Sequence, residues 1–194
     1  GETFELFEAI TSVRNGLNVI LEREIDKLIL EGKNNEAVIK LKEIITSYSE
    51  IAKDSKKYYK TSYESAPKTR EEIVPCNDMY NRLECNEQLT KYYGKLFLLG
   101  DNNVNSLILN KALQNLVQDL SDNSKVITNK KKASVLNTIG STLLALDKAK
   151  LPTDKIIDQE TMNKVASLLP ENTKQPTNKE IIANLFEKAK GLSL

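Results

Sequence analysis

The sequence predicts an all-α fold: a single globular helical bundle of six or seven helices that begins with a long antiparallel αα-hairpin. Three observations lead there. Apolar residues recur in alternating steps of four and three, the spacing of one helix face. The recurring segments are punctuated by residues that start or stop helices. No run of alternating apolar and polar residues is long enough for a strand.

The first helix is expected over about 4–31. Leu6, Ile10, Val13, Leu17 and Ile20 form one stripe, which shifts phase and continues as Leu21, Ile25 and Leu28. Thr3 is a candidate N-cap, Gly16 a weak point inside the helix, and Gly32 its stop, followed by the polar turn Lys33-Asn34-Asn35. The second helix carries Val38, Leu41, Ile45, Tyr48 and Ala52 and fades through Ser55, Tyr59 and Ser62 to a limit near Tyr63. Two long helices joined by a short polar turn make an antiparallel pair. Residues 64–76 read as a connection, in which Thr69 and Glu72 could cap a single turn stopped at Pro75.

A third helix carries Leu89, Tyr92, Leu96 and Leu99 and ends at Gly100. The fourth carries Leu109, Leu113, Leu116 and Leu120, ahead of the turn at 121–124. The fifth, about 129–149, carries Leu136, Ile139, Leu143 and Leu146, with Pro152 at its exit. A short sixth is expected near 158–169, with Met162, Val165 and Leu169. The seventh, about 178–190, opens on the capping box Thr177/Glu180, carries Ile181, Ile182, Leu185 and Phe186, and stops at Gly191. Residues 150–177 hold three of the five prolines and come nearest to a linker. One domain is the economical organisation; a split near residue 100 into two small bundles is the alternative.

Composition narrows the function. Lys and Arg total 28 against 27 Asp and Glu, a net charge of +1. That balance lacks the basic excess of a nucleic-acid binder or of a polybasic membrane binder. The longest apolar runs, Leu96–Leu99 and Leu143–Leu146, are far short of the ~20 residues a membrane-spanning helix needs. The chain opens on Gly1 with neither Met nor signal sequence, the start expected of a processed or trimmed chain.

The chain has no histidine, which removes Ser-His-Asp and Cys-His catalysis, histidine metal sites and haem ligation. Its glycines fall in no phosphate-loop spacing. The acid pairs Glu5/Glu8 and Glu22/Asp26 lie off the apolar stripes and read as solvated surface rather than a metal or proton-transfer site. The expectation is therefore no enzyme, no metal and no cofactor.

Cys76 and Cys85 are the two cysteines. They read either as a structural disulfide of an oxidising compartment or as two unrelated buried thiols. A continuous helix would hold their Cα atoms about 13 Å apart, and a bridge needs less than about 7 Å. A bridge therefore demands a bend, for which Pro75 and Asn77-Asp78 provide the residues. A loop this short contributes about 2–3 kcal/mol at most.

Tyrosine is the unusual feature. Tyr58, Tyr59 and Tyr63 cluster with Lys56, Lys57, Lys60 and Arg70, and Tyr92-Tyr93 form a second pair. Three readings fit the first cluster: rings that finish the core with their hydroxyls in water, a protein-binding patch, or a stacking surface for single-stranded nucleic acid. The run Lys130-Lys131-Lys132 is too short for a targeting signal and reads as a solvated face. No Asn-x-Ser/Thr glycosylation site occurs despite the many asparagines.

In overall texture, a small helical chain rich in Asn, Lys and Ile with one candidate disulfide, the sequence resembles secreted salivary proteins of blood-feeding insects and exported helical-bundle proteins of pathogens. The resemblance implies a secreted, extracellular, non-enzymatic protein that modulates a host immune or haemostatic response through contact with a host protein or receptor. It carries no functional residue with it. The alternative is a carrier of a small apolar ligand held between helices, with Phe97, Met162 and Phe186 as wall residues or, equally, as ordinary core.

Overall fold

The computed structural model describes residues 2–46, 82–101, 106–122, 126–170 and 176–194. Every regular element among them is a helix, in keeping with the all-α reading. In order they are α1 (Glu2–Leu30), α2 (34–46), α3 (Arg82–Leu98), α4 (Ser106–Asp122), α5 (Asn129–Lys148), α6 (Thr153–Ile156), α7 (Gln159–Ala166) and α8 (Asn178–Leu192). The chain divides into two compact units, Gly1–Cys85 and Asn86–Leu194, with the boundary inside α3.

In the first unit α1 ends as its sequence requires. Gly32 takes a positive φ of 75°. The Lys33 amide then reaches back to the Leu28 carbonyl at 2.8 Å and the Gly32 amide to that of Ile29 at 3.0 Å. This pair of bonds satisfies carbonyls that the helix end would otherwise leave without donors. Across the turn, Lys40 Nζ lies 3.2 Å from Glu24 Oε2. Ile25 of α1 and Ala37, Leu41, Ile44 and Ile45 of α2 are buried.

The stripe on α1 differs from the expectation. Leu17 and Ile20 are 50% and 56% exposed, while Asn18 and Ile25 are buried. Asn18 and Ile25 stand two turns apart on one face, the face that Leu21 and Leu28 continue. The second, phase-shifted stripe is therefore the buried one near the turn.

In the second unit the expected core stripes are buried almost residue for residue. Leu89, Tyr92 and Leu96 of α3, Leu109, Leu113, Leu116 and Leu120 of α4, and Leu136, Ile139, Leu143 and Leu146 of α5 are all inside. Each such side chain contributes about 1.5–3 kcal/mol of hydrophobic stabilisation. α5 packs along α8, and α4 packs on α7, with smaller contacts from α5 to α4 and α6.

Glycine sets two of these approaches. A Cβ on Gly140 of α5 would stand 3.1 Å from the Phe186 ring of α8, and one on Gly94 of α3 would stand 3.2 Å from Thr142 Oγ1 of α5. Thr142 Oγ1 lies 3.0 Å from the Thr90 carbonyl oxygen on α3 and 2.9 Å from that of Thr138 on its own helix. Small residues thus let α3 and α5 meet nearly backbone to backbone.

The expected short helix near 158–169 is α7, and a single helical turn that the sequence reading did not anticipate, α6, precedes it. Pro152 opens the single turn α6, Ile157 adopts an extended conformation, and Asp158 then caps α7 by accepting from the Thr161 amide at 2.8 Å. The corner between them is held by α4. Asn110 Nδ2 donates to the Ile156 carbonyl at 3.1 Å, and Asn110 Oδ1 accepts from the Asp158 amide at 3.0 Å. One turn on, Gln114 Nε2 donates to Thr161 Oγ1 at 2.9 Å. The Thr177/Glu180 capping box of α8 forms as expected. The Glu180 amide donates to Thr177 Oγ1 at 3.2 Å, and that hydroxyl donates to Glu180 Oε1 at 3.0 Å.

Candidate functional site

The described chemistry concentrates where α3 meets the first half of α5. Glu87 lies on α3 and is 4% exposed. A buried carboxylate is costly unless it is paired and hydrogen-bonded. Here both oxygens are engaged: Lys131 Nζ sits 2.9 Å from Oε1, and Ser134 Oγ donates to Oε2 at 3.1 Å. Lys131 and Ser134 come from successive turns of α5, so one face of that helix supplies both partners. The start of α5 is fixed in turn by Thr128, whose hydroxyl accepts from the Lys131 amide at 3.1 Å.

Next to this ion pair is an open recess of about 500 Å³. α5 forms one wall with Lys130, Ser134, Asn137, Thr138 and Ser141; Lys91 of α3 and Ser193 at the end of α8 contribute the others. Ala133 also lines it, and carbon atoms make up more of its surface than the hydroxyl, amide and ammonium groups do; no acidic or aromatic side chain lines it. Both oxygens of Glu87 are thus engaged by α5, which ties α3 to α5 through a buried charge pair.

The second tyrosine pair is core. Tyr92 and Tyr93 are both buried, and Lys91 Nζ lies 5.5 Å from the centroid of the Tyr92 ring. Tyr93 packs against Phe97 with ring centroids 6.4 Å apart, and burial pushes its phenol up to about 12. Phe97 is fully buried, Met162 is buried, and Phe186 is half-buried with its ring over Gly140.

The first tyrosine cluster, Tyr58, Tyr59 and Tyr63 with Lys56, Lys57, Lys60 and Arg70, lies outside the described residues, as does Cys76. Cys85 is buried, and no cysteine among the described residues is a free thiol. Glu22 is half-buried and Asp26 exposed, and among the described residues no group of acids or cysteines could hold a metal ion. No described helix is long and apolar enough to cross a membrane.

Sequence reading missed Glu87 and the role of Lys131. The lysine run contains a residue committed to a buried partner, where the composition suggested only a solvated face. A signal existed: Asn86, Thr90 and Gly94 recur every fourth position on α3, a row of small or polar residues along which another helix can approach closely. All three are buried. No family model matches the chain, and no curated protein and no solved structure shows significant similarity to it.

Proposed function

We propose that the chain is a secreted, non-enzymatic interaction protein that acts by surface contact with a protein partner, as a modulator of a host immune or haemostatic response. The observation that carries the reading is the state of Cys85, a buried cysteine that is not a free thiol in a chain with one other cysteine. A Cys76–Cys85 bridge belongs to this proposal, because disulfides persist in oxidising, extracellular settings.

The scaffold is read as opening on an antiparallel α1–α2 pair, supported by the left-handed Gly32 turn and by Lys40–Glu24 across it. The contact surface is assigned to Tyr58, Tyr59 and Tyr63 with Lys56, Lys57, Lys60 and Arg70, since tyrosine supplies large contact area at low entropic cost and lysine a polar rim. Crosslinking capture from host plasma, with the wild-type chain and a Tyr58→Ala/Tyr59→Ala/Tyr63→Ala variant of unchanged circular dichroism, tests it. The expected result is a partner retained by the wild type and captured at least tenfold less by the variant. Equal capture by both chains, or no partner at all, would contradict the assignment.

A further inference from the structure

We draw no further inference here: the strongest candidate, the exposed apolar face of α1 at Leu17 and Ile20, carries nothing because nothing in the structure shows what covers it.

Discussion

Lys150 ends α5 with a φ of 57°, in the left-handed region that glycine occupies at Gly32 and Gly100. Its bonds are those of the same motif: the Lys150 amide to the Asp147 carbonyl at 3.0 Å, and the Leu151 amide to that of Leu146 at 3.0 Å. A side chain there crowds the following carbonyl, at a cost of about 1 kcal/mol. Lys150→Gly should therefore stabilise the protein by at most about 0.5 kcal/mol after the entropy of the added glycine is set against it. Chemical denaturation measures this, and a destabilised variant would show that the lysine side chain has a role of its own. Asn110 stands at the other extreme. Its one amide serves both the Ile156 carbonyl and the Asp158 amide, so Asn110→Leu leaves two backbone groups without their partner. The expected loss is about 2–3 kcal/mol, read from the same denaturation curves.

Tyr93 gives a pH dependence at the same scale. Burial raises its phenol to about 12, while an unfolded tyrosine ionises near 10. Above pH 10 the unfolded chain releases this proton and the folded chain retains it. The unfolded state then binds fewer protons, and stability falls as pH rises from about 10 to 12. Below pH 10 both states are neutral and the contribution is flat. Tyr93→Phe should flatten this alkaline loss, an effect of roughly 2 kcal/mol across the window. Denaturation midpoints at pH 9, 10.5 and 11.5 decide it: an unchanged slope in the variant would assign the loss to other tyrosines.

At the scale of elements, two glycines make the helix contacts and should answer differently to alanine. In both, alanine improves helix propensity by about 1 kcal/mol. At Gly140 the new methyl meets the outer edge of the Phe186 ring at 3.1 Å, a side chain that is half-buried and can tilt. At Gly94 it meets Thr142 at 3.2 Å from Oγ1 and 3.4 Å from Cα, and the backbone of a packed helix cannot yield. Gly140→Ala is expected near neutral, and Gly94→Ala destabilising by about 1–3 kcal/mol. A reversed order in thermal unfolding would show that Phe186, not Thr142, is the fixed neighbour.

These elements also show what the sequence makes legible. The leucine stripes of α4 and α5 were readable because a buried helix face must repeat every three or four residues, and nothing else in those segments competes. The Gly32 stop and the Thr177 box were readable because few residues satisfy helix ends. The stripe of α1 was ambiguous, because two apolar stripes of different phase share one helix and their order of burial depends on where α2 turns back. The Glu87–Lys131 pair and the recess beside it were not readable. They join positions 44 residues apart, and only packing decides which lysine of three meets a buried acid. Lys150 was missed for a related reason, since its conformation follows from the helix end rather than from its side chain.

At the scale of the whole molecule, the second unit, Asn86–Leu194, carries a continuous core built on α5, in which buried Asn110 and Thr142 are tied to partners on other segments. The first unit ends at Cys85, the residue on which the compartment of the protein turns. The proposed secretion of the chain is probed by peptide mass mapping of the natural protein under non-reducing conditions. The expected result is a linked peptide joining Cys76 to Cys85, separated by reductant. Two unlinked, alkylatable thiols would contradict it and place the chain in a reducing compartment.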